Sequence, residues 1–265
     1  MISPASLAAT VARLRDRRPL IHNITSAVVA NFNANALLAL GAAPVMSDSA
    51  DEAAAIATAA DALVVNLGMP SPIRAAAMRE AVRAAVAAGK PWALDPVGVG
   101  AIAPRTQFAQ ELSRLHPTAI RGNASEILGL AGEAGGGRGV DTGIDSDAAV
   151  VAARRLASST GAIVAVTGVV DYVTDGAQVL ALRNGHPLMT QVTGMGCTAT
   201  AIVGACLGAG DGAALASVAH ALAITGIAGE MAARGARGSG SMLVAFLDAL
   251  GALDHELLRA QVLSA

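Results

Sequence analysis

The sequence predicts an α/β fold with a mostly parallel central sheet flanked by helices and a helical C-terminal part. From residue 19 to about residue 167, short apolar runs bounded by Gly, Pro or Asp alternate with Ala-rich helical patterns. Strands separated by helices are typical of βαβ units, which assemble into a parallel sheet. After that point the pattern changes, first to a hairpin and then to helices alone.

The strand candidates are short and apolar, and the helix candidates between them are longer and rich in alanine. The predicted strands of the parallel part are Leu20–Ile24, Pro44–Met46, Ala62–Leu67, Trp92–Leu94, Ala119–Ile120 and Ile163–Val166. The predicted helices are Ala27–Leu40, Ser49–Ala59, Pro72–Ala88, Arg105–Leu115, Ala124–Leu130 and Ser146–Ser159.

Asp171–Thr174 and Gln178–Arg183 are predicted to form a hairpin. The dipeptide Asp175-Gly176 between them suits the positive φ angles of a tight turn. Leu188–Val192 is predicted to be extended. From Cys197 onward the pattern is helical, with segments near 213–233, 239–250 and 254–262.

The stretch Gly132–Gly139 is rich in glycine and is a candidate flexible loop. A domain linker at this place would divide the predicted strands of one sheet between two units. We therefore expect a single domain over residues 1–265. No role is assigned to Asp141 or Thr142.

Composition argues against two classes of partner. A net charge of −2 without basic runs, with three Phe, one Tyr and one Trp, disfavours nucleic-acid binding. Hydrophobic residues make up 54% of the chain, which raises the question of a membrane span. The longest candidate, Ala213–Gly229, is mostly Ala and Gly and falls short of the roughly 20 strongly apolar residues that a span needs. We expect a buried core helix there and no membrane partner.

The same composition suggests an oligomer in the cytoplasm. Large exposed apolar patches are rare on monomers, so a chain with only 14% charged residues is expected to hide surface between subunits.

Met1–Arg18 lacks the apolar run of a secretion signal. Cys197 and Cys206 lie on one predicted helix, about 13 Å apart along its axis, which is too far for a disulfide. Free thiols fit a reducing compartment.

Open parallel sheets bind ligands beyond the carboxyl ends of their strands, and small polar residues cluster at these ends in the sequence. Each of them could also be a helix cap or turn residue, which is the more common role of Ser, Asp and Asn at such positions. The candidates are Asn23, Thr25, Met46, Ser47, Asp48, Asn66, Gly68, Met69, Asp95, Arg121, Asn123, Glu126, Thr167 and Gly168.

The stretch Thr193–Thr200 places two glycines and a thiol where an extended segment is predicted to turn into a helix. Unpaired N–H groups at a helix start attract anions, and Gly194 and Gly196 would let a phosphate approach the backbone. Cys197 would lie in the first turn, where a thiolate is favoured. A tight turn beside a buried thiol is the alternative.

Two runs, one at Gly194 and one at Gly98, also fit the Gly-x-Gly-x-x-Ala dinucleotide fingerprint. Neither has a convincing acidic residue at the end of a second strand about 20 residues on. Lys90 is the only lysine, and Gly89 precedes it as in a P-loop. The first glycine of that motif is replaced by an alanine, which excludes a P-loop enzyme.

Asp95 and Glu126 are the candidates for a divalent cation, because carboxylates are hard oxygen ligands. One residue ends a predicted strand and the other lies in the first turn of a predicted helix. A capping role is the alternative for Glu126, since an acid three positions after Asn123 fits a capping box.

Together these segments resemble the hydroxyethylthiazole kinases of thiamine biosynthesis, which are members of the ribokinase-like family. The matching blocks follow one another over nearly the whole chain, which is more specific than any single motif. They are Pro19–Thr25, Gly41–Met46, Asp61–Gly68, Leu94–Gly98, Arg121–Ile127, Val166–Gly168 and Gly194–Cys197.

The resemblance implies transfer of the γ-phosphoryl group of ATP to the primary alcohol of 4-methyl-5-(2-hydroxyethyl)thiazole, with Mg²⁺. It also implies a homotrimer with thiazole pockets between subunits. Backbone N–H groups from Gly194 to Cys197 would form an anion hole, with Cys197, Gly196 and Met195 at the reacting centre. Cys197 would stand where most ribokinase-like enzymes have an aspartate. A smaller or polar residue is expected at the position of Met195.

Carried over residue by residue, the resemblance implies one set of residues that contacts the thiazole, the thiazole group, and one set that contacts ATP, the ATP group. The thiazole group comprises Met46, Gly194, Asn23 and Gly68. The ATP group comprises Arg121, Thr167, Asn123 and Gly168. Two alternatives stay open: another small-molecule kinase of this fold, such as a hydroxymethylpyrimidine kinase, and a nucleotide-binding protein without kinase activity.

Overall fold

The computed structural model describes residues 2–133, 146–210 and 212–260. Most of the glycine-rich stretch Gly132–Gly139, together with Asp141 and Thr142, lies outside the described residues. The strands are β1 (Leu20–Ile24), β2 (Ala43–Val45), β3 (Ala62–Asn66), β4 (Trp92–Asp95), β5 (Ala119–Asn123), β6 (Ile163–Thr167), β7 (Asp171–Thr174) and β8 (Val179–Leu182).

The helices alternate with these strands and then make up the described part of the C-terminal quarter. They are α1 (Pro4–Arg17), α2 (Ala30–Leu40), α3 (Ala50–Ala59), α4 (Pro72–Ala87), α5 (Ala103–Ser113), α6 (Ala124–Leu130), α7 (Ser146–Thr160), α8 (Met195–Gly208), α9 (Ala214–Ala233), α10 (Ser239–Ala252) and α11 (His255–Ala260). A 3₁₀ helix covers Pro187–Gln191.

One sheet contains all eight strands in the order β2-β1-β3-β4-β5-β6-β7-β8. The pairs from β2 to β6 are parallel, and β7 and β8 join as an antiparallel hairpin. Parallel pairing brings the carboxyl ends of β1 to β6 to one edge, which we call the carboxyl rim. The register sets Asn66 beside Asp95 at this rim.

The sheet is covered on both faces because its strand residues alternate between two apolar cores. Val64 and Ala93 face the core built with α1, α2, α8, α9 and α10. Leu63, Val65 and Leu94 face the core built with α3 to α7. The rim is therefore the place where polar side chains can gather between the layers.

α8 and α9 are apolar on nearly all sides because they lie inside the first core. A Cβ atom on Gly204 would lie 2.3 Å from Val64 Cγ2, so α8 contacts β3 at a distance that a larger residue could not occupy. Among the described helices, α9 alone is long and apolar enough to cross a membrane. However, 72% of its most apolar 18-residue stretch is buried inside the protein. This confirms the prediction of a buried core helix.

The predicted parallel strands and the helices between them are all present, most with ends shifted by one to three residues. The extended prediction for Leu188–Val192 is wrong. Pro187 opens a 3₁₀ helix instead, and His186 caps it by accepting a hydrogen bond from the Leu188 N–H at 3.2 Å. Helix α1 was not predicted; it begins with a capping box between Ser3 and Ser6.

Candidate active site

The carboxyl rim gathers polar residues that are distant in sequence. Asn66, Asp95 and Asn123 end β3, β4 and β5, Asn23 is the penultimate residue of β1, and all four are buried. Buried polar groups need partners, so their contacts reveal what the rim is built to hold.

Asp95 lies at the centre of the rim. Its Oδ2 accepts hydrogen bonds from Asn66 Nδ2 at 2.7 Å and from Thr200 Oγ1 at 2.8 Å. Its Oδ1 is buried without a partner. Burial raises the pKa of Asp95, while the Arg121 charge and the two hydrogen bonds oppose that rise. Sequence reasoning missed Thr200, although it lies nearly one helical turn after Cys197.

Glu126 has two roles. Its Oε2 accepts from the Asn123 N–H at 2.9 Å while Asn123 Oδ1 accepts from the Glu126 N–H, which completes a capping box. Its Oε1 accepts from the Gly98 N–H at 3.0 Å. The pKa of Glu126 is raised by burial and by the charge of Asp95. The capping alternative is therefore correct, and it leaves the carboxylate beside Asp95.

Two buried carboxylates, of which Asp95 raises the pKa of Glu126, are suited to a cation. The unpartnered Asp95 Oδ1 is a hard oxygen ligand, so the residues fit Mg²⁺. Among the described residues no group of three or more His, Cys, Asp or Glu side chains could enclose a metal. Water or nucleotide oxygens would have to complete the coordination, as is usual for Mg²⁺.

Arg121 connects the ATP candidates to the glycine motif. Its Nη2 donates to Thr167 Oγ1. Its Nε is buried without a partner. A Cβ atom on Gly196 would lie 2.6 Å from Arg121 Nη1, so only glycine lets the guanidinium reach the start of α8. The structure thus brings Arg121, Thr167 and Gly196 together.

Gly194 is the N-cap of α8, with a φ of 96°. A Cβ atom there would lie 2.6 Å from Val29 Cγ1, which together with the positive φ excludes other residues. The N–H groups of Gly194 and Gly196 have no acceptor among the described residues, whereas that of Met195 reaches Val192 O at 3.5 Å. The Met195 side chain is buried in the core.

The predicted thiolate at Cys197 is wrong. Burial, followed by the negative charge of Asp95, raises the pKa of the thiol to about 12. The Asn66 hydrogen bond and the Arg121 charge oppose this shift but do not reverse it. Cys197 is therefore a protonated thiol at neutral pH, and it lies among the buried charges of the rim.

Three of the thiazole candidates, Asn23, Met46 and Gly68, lie near the ends of β1, β2 and β3, and the fourth, Gly194, is at the start of α8. Both amide atoms of Asn23 are buried without a partner. Met46 follows β2, and the register of β1 with β2 sets it next to Asn23. The Gly68 N–H donates to Asn66 Oδ1 at 2.9 Å, and a Cβ atom on Gly68 would lie 2.8 Å from the same oxygen.

Gly168 lies after β6, where its N–H donates to Asp171 Oδ1 at 3.0 Å. A Cβ atom on Gly168 would lie 2.9 Å from Ser146 Oγ. Burial raises the pKa of Asp171 to about 6. The sequence predicts Asp171 only as a strand residue of the hairpin. It does not indicate that the Asp171 carboxylate accepts a hydrogen bond from the loop after β6.

The dinucleotide fingerprint lacks its structural context. The run at Gly194 follows a 3₁₀ helix instead of a strand, and the run at Gly98 ends where α5 begins. A cavity of about 400 Å³ lies at the opposite, amino end of the sheet, beside Lys90 and Gly208, and contains none of the predicted site residues.

The chain is similar to known proteins over nearly its whole length. The model of the hydroxyethylthiazole kinase family matches residues 11–256. The hydroxyethylthiazole kinase of Granulibacter bethesdensis is 56% identical over 93% of this chain and 89% of its own length. That of Tolumonas auensis is 50% identical over 95% of both chains.

The solved structures show the same fold. The hydroxyethylthiazole kinase protein from Pyrococcus horikoshii OT3 has a TM-score of 0.89 at 38% identity and covers 97% of this chain and 96% of its own. A ribokinase-like superfamily protein from Enterococcus faecalis V583 has a TM-score of 0.64 at 10% identity and covers 91% and 87%. The ribokinase-like fold is thereby confirmed.

Asp171→Asn is expected to stabilise the protein at neutral pH. The folded-state pKa of about 6 lies above the unfolded value, so the protein loses stability as pH rises from about 4 to about 6. An asparagine keeps an oxygen for the Gly168 N–H and does not ionise. Urea unfolding should show a gain of about 1–3 kcal/mol at pH 7.5 and a clearly smaller gain at pH 4.5.

Asp175→Asn is the matched control, since hydrogen bonds from Gln178 lower the pKa of Asp175. The expected change in stability has the opposite sign, because the ionised Asp175 stabilises the folded protein. The Asp175→Asn variant should therefore be less stable than the parent at pH 7.5. Equal pH dependence in the parent and Asp171→Asn would refute the assigned cause.

Proposed function

Because the chain belongs to the hydroxyethylthiazole kinase family, we propose that it phosphorylates its thiazole alcohol at the carboxyl rim. The γ-phosphoryl group of ATP is transferred to the primary alcohol of 4-methyl-5-(2-hydroxyethyl)thiazole, a step of thiamine biosynthesis or salvage. The observation that carries this assignment is the convergence of Arg121, Asp95 and the start of α8 on one buried place.

Arg121 and Thr167 hold the phosphates of ATP. The Arg121 guanidinium keeps an unpartnered Nε, and it lies against Gly196, whose backbone N–H has no acceptor among the described residues. Phosphoryl transfer depends mainly on positioning and on stabilising charge on the transferred oxygens. Gly168 shapes the same loop, while the Asn123 side chain is occupied as a helix cap and contributes by holding Glu126.

Asp95 and Glu126 hold Mg²⁺ with the nucleotide. The ion would neutralise charge that develops on the phosphate oxygens. Asp95 offers its free Oδ1, and Asn66 and Thr200 hold the other oxygen in place. Glu126 has both oxygens engaged with backbone N–H groups, so we assign it a contact through water.

Met46, Asn23, Gly68 and Gly194 line the thiazole pocket. The free amide of Asn23 supplies a donor and an acceptor for a polar atom of the substrate. Met46 supplies a soft apolar wall for the ring.

Cys197 acts as a proton-bearing neighbour of the acceptor alcohol. A thiol with a pKa of about 12 is not a preformed base, so it orients the hydroxyl by hydrogen bonding. A loose transition state needs little deprotonation early on. Aspartate at this position would add a real proton acceptor.

The enzyme is a cytoplasmic homotrimer with its thiazole pockets between subunits. Val28, Met69 and Ile73 are 65%, 53% and 72% exposed and follow the strands that carry the thiazole candidates. Apolar side chains so exposed beside a pocket support coverage by another subunit. Both cysteines are free, which supports a reducing compartment.

Arg121→Ala is expected to raise the KM for ATP about tenfold or more, because it removes a charge-assisted contact with phosphate. The KM for the thiazole alcohol should stay nearly unchanged. ATP consumption is measured with the thiazole alcohol, with hydroxymethylpyrimidine and without acceptor, each with and without Mg²⁺. Turnover only with hydroxymethylpyrimidine would contradict the proposed substrate, and an altered thiazole KM alone would contradict the role of Arg121.

Cys197→Ala is expected to lower kcat by up to about tenfold, because it removes one hydrogen bond that orients the acceptor hydroxyl, with little change in the KM for ATP. Cys197→Asp should retain activity because a carboxylate can accept the proton. The parent should show no kcat change from thiol ionisation below about pH 10, since its pKa is about 12. An alanine variant with the parent's kcat would make Cys197 a packing residue.

Assembly is tested by sedimentation and dilution. The protein should sediment as a trimer, and activity per chain should fall when dilution separates the subunits. A fully active monomer would refute shared pockets while leaving the kinase activity in place.

A further inference from the structure

Arg74 lies in the first turn of α4, at the side of the rim that carries the thiazole candidates. Ser71 caps this helix by accepting a hydrogen bond from the Arg74 N–H at 3.3 Å, and Pro72 occupies the first turn. The helix start therefore fixes the backbone from which the Arg74 side chain extends. Only 14% of that side chain is exposed.

The guanidinium contacts three separate loops. Nε donates to Asp48 Oδ2 at 2.6 Å, Nη2 donates to the Thr25 carbonyl at 2.7 Å, and Nη1 reaches the Met69 carbonyl at 3.5 Å. These loops follow β2, β1 and β3, which are neighbours in the sheet. One side chain thus joins the ends of three adjacent strands.

Each of the three contacted residues lies within two positions of a thiazole candidate. Met46 lies two residues before Asp48, Asn23 lies two before Thr25, and Gly68 immediately precedes Met69. Met69 has a φ of 52°, a conformation that is unfavourable for methionine and needs support from its surroundings. The contact to its carbonyl holds this residue at the pocket edge.

We propose that Arg74 is a positioning residue for the acceptor alcohol, which fixes the three loops of the thiazole pocket relative to one another. This inference rests on the proposed location of that pocket. Arg74 makes no hydrogen bond to Arg121, Thr167, Asp95 or Glu126. Its loss should therefore weaken alcohol binding and spare ATP binding.

A lysine cannot replace this arrangement fully. The planar guanidinium donates in three directions at once, whereas an ammonium group is a compact point charge on a flexible stem. Arg74→Lys should keep part of the contact to Asp48 and lose the simultaneous contact to Thr25.

The test compares full-length Arg74→Ala and Arg74→Lys with Arg79→Ala. Arg79 is on the same helix, binds Glu111 at 2.6 Å and 2.7 Å and lies over the Phe108 ring. Arg79→Ala thus controls for loss of an α4 arginine with two hydrogen bonds. The KM for each substrate is measured, together with calorimetric binding of the thiazole alcohol without ATP.

We expect Arg74→Ala to weaken alcohol binding and raise its KM by about tenfold, with the KM for ATP within about twofold of the parent. The KM of Arg74→Lys for the alcohol should fall between those of the parent and Arg74→Ala. Arg79→Ala should have the KM values of the parent for both substrates. If Arg74→Ala matches Arg79→Ala, or raises both KM values equally, the inference is overturned. If Arg74→Ala does not fold, the test uses Arg74→Lys and compares its change in the KM for the alcohol with its change in the KM for ATP.

The two proposals fail in different ways. A parent protein that binds the alcohol but does not phosphorylate it would overturn the proposed reaction, and calorimetry on the Arg74 variants would still measure the positioning effect. A parent that phosphorylates the alcohol while all Arg74 variants bind it normally would overturn the positioning role alone.

Discussion

The buried carboxylate of Asp95 is the constraint on which the rest of the site depends. A charge in the interior is costly unless it is paired or hydrogen-bonded. Asn66 from β3 and Thr200 from α8 satisfy one oxygen, and the Arg121 charge offsets part of the desolvation. The same contacts fix the distance between the sheet and the start of α8.

Close approach of α8 to the sheet requires small residues along that helix. Gly204 contacts Val64, and Gly196 contacts the Arg121 guanidinium, at distances that a Cβ atom would not permit. The apolar, glycine-rich character of α8 is therefore a packing requirement first. Because Gly196 lies against the Arg121 guanidinium, the unpaired N–H groups at the start of α8 lie close to that positive charge.

The rim separates into two halves that differ in charge. Asp95, Glu126 and Arg121 form a charged half suited to a nucleotide with a cation. The half around Asn23 and Met46 is nearly neutral and is held by Arg74. Cys197 lies near the charged half, and its raised pKa is the physical consequence of burial beside Asp95. A neutral thiol avoids adding a third negative charge to this place.

The sequence by itself determined the order of strands and helices, because hydrophobic periodicity and turn residues are local signals. It also determined that Asn23, Asp95 and Arg121 share one edge, since parallel strands end on the same side. The tertiary structure alone decided the roles of Thr200 and Arg74, whose partners Asp95 and Thr25 are 105 and 49 residues away in the sequence. It also reversed the predicted thiolate. A helix start favours ionisation of a cysteine, but desolvation and the nearby charge of Asp95 depend on neighbours that only folding brings together.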